Sequence, residues 1–226
     1  TTVNSAGQES DPVSAQVCTL EAPSNFIAYE GFDYVIDTPI GGHAGGGGWA
    51  EGWAGEDTNL VRNDDAGRAM VENSGNSLDV QGTAERQLNS AIGGDGETVW
   101  GGFALRTEDS DNLVSLSLAD SENDWITFAG RSGGNLQVNG QSTSGAIHST
   151  WHMVIYRISF DSNGADLNVW LDPALDSGAP AEEMAVFSTR LENVFTIDRV
   201  RVERDGMSSS PARVDEIRLG RIFNNT

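Results

Sequence analysis

The sequence contains no lysine: its 13 basic residues are all arginine, set against 34 acidic residues and a formal charge of −21. A chain so poor in cations lacks the surface that displaces counterions from a phosphate backbone, so nucleic acid is excluded as a partner and anionic membranes are disfavoured. There is one cysteine, Cys18. It cannot form an internal disulfide, and a free thiol is a simpler reading than an intermolecular bridge. No apolar run approaches the ~20 residues of a membrane-spanning helix, so no membrane insertion is expected. No segment sustains a 3.6-residue apolar period, and no repeat of fixed length recurs.

What is present is short alternating strands separated by Gly, Asn, Asp and Ser. The tract Trp151–Asp172 reads as two strands around an Asp-Ser-Asn-Gly turn, a hairpin. Asn112–Ala119 alternates, with Leu113, Ser115, Ser117 and Ala119 on one face. Further strands are expected at Phe26–Tyr34, Arg68–Asn73, Ser77–Gln81, Ala84–Ser90, Thr98–Arg106, Trp125–Gly130, Asn135–Asn139, Met184–Thr189, Ile197–Arg204 and Arg213–Arg221. About a dozen such strands imply an all-β, two-sheet antiparallel jelly-roll sandwich. With 226 residues, one such domain buries roughly 70–75% of its unfolded surface and needs no covalent staples.

Residues 1–25 precede the first convincing strand and read as an extended polar arm, leaving 26–226 as the domain. Within the arm, Val13, Ala15 and Val17 alternate. They could add a strand to the sheet edge of another copy, and an open contact of that kind builds a filament or layer. Docking onto its own domain is the alternative. The Thr-Thr start reads as a processed or trimmed terminus. Together with the acidic, lysine-free composition, it suggests a secreted protein or one at the cell surface; a GC-rich codon bias explains the same composition.

Catalytic signatures are missing. A glycosidase on a sandwich of this kind needs two carboxylates about 5–10 Å apart on one face, and no E-x-D-x-x-E run occurs. Glu203 and Asp205 share a face but close a strand, and Glu182-Glu183 follow Pro180 in a loop. His43 lies in a glycine loop and His152 beside the expected core residue Trp151. The Gly45–Gly48 run lacks the Gly-Lys-Ser/Thr of a phosphate loop, and no serine sits in a nucleophile elbow. Of the six tryptophans, Trp100, Trp151 and Trp170 sit in apolar strand patterns and read as core. Trp49 and Trp53 sit in the glycine loop. Trp125 is the candidate exposed ring for stacking a sugar. Asp109, Asp111, Asp120, Glu122 and Asp124 read as a pair of solvated loops.

Several tracts carry a family resemblance: Tyr29-Glu-Gly-Phe-Asp-Tyr34, the glycine loop ending at Trp49 and Trp53, TVWGGFALR, WHMVIY, NVWLDPAL and VDEIRLG. Together they resemble LamG-like, concanavalin A-like jelly-roll proteins of the type secreted by planctomycete- and verrucomicrobium-like bacteria. The likeness spans about residues 26–223. It implies two antiparallel sheets, with Trp49 and Trp53 covering the sandwich edge, and little about activity, because the architecture hosts lectins, hydrolases and scaffolds alike. Similar folds often hold a structural calcium where the terminal strands meet. Here Glu30, Asp33 and Asp215, with Glu216, would supply the oxygens; the alternative is that Glu30 and Asp33 cap backbone amides or pair with Arg218. The expectation is a non-catalytic structural or adhesive protein of a bacterial surface that partners copies of itself. A module binding an extracellular polysaccharide is the runner-up, and a hydrolase or lyase is third.

Overall fold

A computed structural model describes residues 26–63, 75–174, 178–206 and 209–223. The proposed assembly residues Val13, Ala15 and Val17, Cys18, and the whole of the strand expected at Arg68–Asn73 lie outside them. Fifteen strands are described. β1 (Phe26–Glu30), β2 (Ala54–Gly55), β3 (Leu60–Arg62), β4 (Ser77–Asp79), β5 (Ala84–Ile92), β6 (Thr98–Thr107), β7 (Leu113–Ala119) and β8 (Asp124–Gly130) form the first half. β9 (Asn135–Val138), β10 (Gln141–Ala146), β11 (His152–Asp161), β12 (Gly164–Leu171), β13 (Phe187–Glu192), β14 (Ile197–Asp205) and β15 (Ala212–Gly220) complete it.

They form two antiparallel sheets. One runs β13-β12-β11-β6-β15-β4-β3 with β1 added on β15, and the other runs β10-β9-β8-β7-β14-β5-β2. This is the expected jelly-roll sandwich, with the first and last strands paired from Phe26–Gly220 to Glu30–Ile217. Alternation selects the core: Val114, Leu116 and Leu118 of β7 face Phe103, Leu105, Val154 and Tyr156 of the other sheet within one buried cluster.

The β11–β12 hairpin pairs Val154–Leu171 through Asp161–Gly164. Asp161 Oδ1 accepts the Asn163 N–H at 2.8 Å and shapes the turn. The double glycine of β6 has a steric cause: a Cβ on Gly101 would meet the Tyr156 ring at 2.2 Å. Gly46 and Gly48 hold positive φ and bring the glycine loop against β1, where a Cβ would meet Tyr29 O at 2.1 Å and Ile27 O at 1.8 Å. Tyr29 and Gly47 exchange both backbone hydrogen bonds there, covering an otherwise open strand edge.

Three boundaries differ from the sequence reading. β1 stops at Glu30, because Glu30 Oε1 accepts the Phe32 N–H at 2.8 Å and Phe32 turns at φ 52°. Met184 belongs to a 3₁₀ turn, Glu182–Met184, and the strand after it begins at Phe187. β10 is built from Gln-Ser-Thr-Ser-Gly-Ala, whose polarity hides it from an apolar-pattern search; its pairing to β9 decides it.

Candidate functional site

The closure of the sandwich is where calcium was expected, and the residues present do not fit it. Glu30 is buried and faces inward, and its oxygens are taken by Arg86 of the opposite sheet, Trp53 Nε1 at 2.9 Å, Tyr34 Oη at 2.7 Å and the Phe32 N–H. The Arg86 guanidinium also lies 5.0 Å from the Trp49 ring centroid. An ion pair between the sheets therefore stands where the ion was expected, with three donors on Glu30 Oε2 and the Phe32 N–H on Oε1. Burial, then the Glu30 charge, push the Tyr34 hydroxyl well above its ordinary range. Asp215 and Glu216 sit in a β-bulge on β15, with Glu216 at φ 53° and its carboxylate gripped by Arg218 Nη2 at 2.6 Å. Burial first, and then the charges of Glu216, Asp33 and Asp215, raise the Tyr29 hydroxyl out of its usual range. Among the described residues no group of three or more His, Cys, Asp or Glu side chains is placed to hold a metal.

Trp125 also differs from expectation. It lies where the β7–β8 register shifts, is half-buried, stacks on Phe195 at 5.0 Å and donates Nε1 to Asp120 Oδ2 at 2.8 Å. The ring packs against the main core at Phe195 and is half-buried, as Trp100 is. Asp120 accepts the Glu122 and Asn123 backbone N–H groups, and these bonds, with the indole's, hold its carboxyl below the usual range. The expected solvated acidic loop is exposed, and Asp120 caps its turn.

The histidines are committed. His152 Nε2 accepts the His148 backbone N–H, so the ring proton sits on Nδ1 and is donated to Asp172 Oδ2 at 2.6 Å. His43 stacks on Tyr34 at 4.4 Å. Glu203 and Asp205 are exposed along β14, away from both histidines' partners.

The functional candidate is a surface that sequence reasoning assigned to the core. On β6, Val99, Phe103 and Leu105 enter the sandwich, so Trp100, Gly102, Ala104 and Arg106 face outward. The same parity on β11 and β12 turns Met153, Ile155, Arg157, Asn168 and Trp170 outward. Met153, Ile155 and Trp170 form a second buried cluster there, with Trp100, Ala185 and Phe223 packed on it. Trp49 and Trp53 are buried in the main core cluster, whereas Trp100 and Trp170 stack on the outer face of the eight-stranded sheet, centroids 5.5 Å apart. Phe223 meets Trp100 edge-on at 5.0 Å.

Register sets a polar row beside these rings: Gly220, Trp100, Arg157, Asn168 and Ser188 lie side by side on five adjacent strands. The Arg157 guanidinium sits 5.6 Å from the Trp100 centroid. It donates to Asn168 Oδ1 at 2.9 Å and to the Glu182 carboxylate, while Asn168 Nδ2 donates to Ser188 Oγ at 2.9 Å. Trp170 Nε1 donates to Ala181 O at 2.8 Å and so ties down the Glu182–Met184 turn at the rim. Met184 and Ile222, both strongly exposed, flank Ala185 and Phe223 in the chain. A half-buried indole with planar hydrogen-bonding groups alongside can bind a ring that has one apolar face and a polar perimeter, which is the chemistry of a sugar.

No family model and no curated protein sequence matches this chain. Solved structures with a similar course exist. A carbohydrate binding module from Bacillus subtilis is 7% identical over 65% of this chain and 86% of its own, with a TM-score of 0.39. An uncharacterised protein from Mycobacterium paratuberculosis is 15% identical over 84% and 98%, with a TM-score of 0.44. A β-1,3-glucanase from Mycobacterium marinum is 16% identical over 72% and 74%, with a TM-score of 0.38. At scores below 0.5 these likenesses carry no weight for ligand or chemistry, and the site stands on its own geometry.

Proposed function

We propose that this protein is a non-catalytic carbohydrate-binding jelly roll that holds an extracellular polysaccharide against the outer face of its eight-stranded sheet. One observation carries the reading: Trp100 is half-buried on a sheet face, with Arg157, Asn168 and Ser188 in register beside it. An indole kept partly in water next to a planar row of donors and acceptors is costly as packing and useful as a sugar platform. Adhesion at a cell surface is the role such binding would serve. The commitment of both nitrogens of His152 and the exposed, separate position of Glu203 and Asp205 support a binding role over a hydrolytic one.

Glycan-array binding of the full chain tests it. Trp100→Ala is expected to lose at least about tenfold in affinity, in line with the loss of a stacking aromatic at a binding hot spot, whereas Trp125→Ala keeps it. Binding that survives Trp100→Ala and disappears with Trp125→Ala would move the site to the opposite sheet and sink this assignment.

A further inference from the structure

In a chain with 34 acidic and 13 basic residues, the outer face of the eight-stranded sheet gathers Arg62, Arg106, Arg157, Arg213 and Arg218. Arg62 pairs with Asp37 and Asp79, Arg106 with Glu108, Arg157 with Glu182 and Arg218 with Glu216. Arg106 and Arg213 stand directly opposite one another on β6 and β15. Like charges in that position oppose pairing of the strands, and burial followed by the Arg62 charge pushes the Arg213 guanidinium below its ordinary range. On the other sheet's outer face the two arginines of β14 instead bracket one glutamate, Glu85, at 3.0 Å each.

Arg157 shows what such a guanidinium takes. It holds the carboxylate of Glu182, a residue whose side chain is 63% exposed on the turn at the rim. Its Nε is buried and has no hydrogen-bond partner, so the guanidinium's donors are not all used. An exposed carboxylate on a guanidinium that faces an indole is a stand-in that an incoming anion can replace at little cost.

We infer that the ligand is an acidic polysaccharide. A carboxylate or sulfate ester of one residue binds Arg157 in place of Glu182, the sugar ring packs on Trp100, and the chain runs along the face toward Arg106 and Arg213. This rests on the reading above that the Trp100 face binds glycan. Trp100 and Arg106 lie on one strand, six positions apart, which is about 20 Å and spans several sugar units. The protein's net negative charge repels polyanions from everywhere else, so capture is local and weakens as salt screens it.

Affinity electrophoresis of the full chain, in gels carrying alginate, dextran sulfate, dextran or laminarin, tests the inference. Retardation by alginate or by dextran sulfate, with dextran and laminarin inert, is the expected result; alginate alone assigns a carboxylate, dextran sulfate alone a sulfate ester. Arg157→Gln should abolish the shift. Glu182→Gln, at an exposed site that folding does not depend on, should strengthen it roughly twofold to fivefold, the worth of one surface ion pair. Arg201→Gln on the opposite sheet should leave it unchanged. Retardation by neutral glycans alone overturns the acidic ligand but keeps the glycan-binding reading, and retardation by none overturns both. A polyanion shift that neither Arg157→Gln nor Glu182→Gln alters overturns the assignment to this face.

Discussion

The two outer faces of the sandwich are built by one backbone rule and have opposite chemistry. On the seven-stranded sheet, alternation turns out Ser115, Ser117 and Thr127, with Arg199 and Arg201 shared between Asp198, Glu85 and Asp124. Every arginine there has an acidic neighbour in register, so the face closes its own account in solvent. On the eight-stranded sheet the same parity turns out stacked tryptophans, an apolar cluster and one arginine pair, Arg106 opposite Arg213, beside arginines that hold Asp37, Glu108, Glu182 and Glu216. Packing and charge satisfaction explain the first face completely. The second keeps features that folding alone does not require, and those are where a ligand is to be sought.

The largest effect that could break this contrast is on stability. Trp170 is 1% exposed although it lies outside the sandwich interior. Trp170→Ala should cost about 3–5 kcal/mol in urea unfolding, as a core tryptophan would. A loss under about 1 kcal/mol would mean that the outer cluster is surface decoration. A smaller effect is expected opposite: Arg201→Gln removes one branch of the Glu85 ladder and should cost no more than about 1 kcal/mol, a difference that fades in high salt. The smallest lies at the tip of the β11–β12 hairpin. Asp161 is held down to about 2, chiefly by its hydrogen bond from Arg190 and then by the Asn163 N–H. Its unfolded value is about 3.9, so its folded value is depressed. Its contribution is present above about pH 4 and is lost as pH falls toward 2. A melting curve followed against pH should show this step, and Asp161→Asn should remove it while leaving the Arg201→Gln difference intact.

Much of the architecture was legible. The hairpin at Trp151–Asp172 follows from two alternating runs and one turn, and the pairing of the first strand, Phe26–Glu30, with the last follows from their place at the two ends of a sandwich. The edge-covering role of the glycine loop came only from the family resemblance, and the Tyr29–Gly47 hydrogen bonds against β1 show the loop on that edge. The polar strand Gln141–Ala146 was not legible, since it has no apolar face of its own and exists through β9. Trp125 looked exposed in its own strand, and only the tertiary packing shows the ring stacked on Phe195. Arg86 had no local signal either: its partner Glu30 lies 56 residues away in the other sheet.

By itself the sequence determined that the chain is all-β, where most strands begin, that its first and last strands pair, and that its net charge repels nucleic acid. These follow from local alternation, turn chemistry and summed charge, none of which needs a partner residue. The tertiary structure decided which side of each strand is inside. In TVWGGFALR and HMVIYRISF both faces are apolar, so a period of two marks the faces without saying which one is buried. That is settled when β6 and β11 pack against β7 and β8, leaving Trp100, Arg157 and Trp170 on the outside.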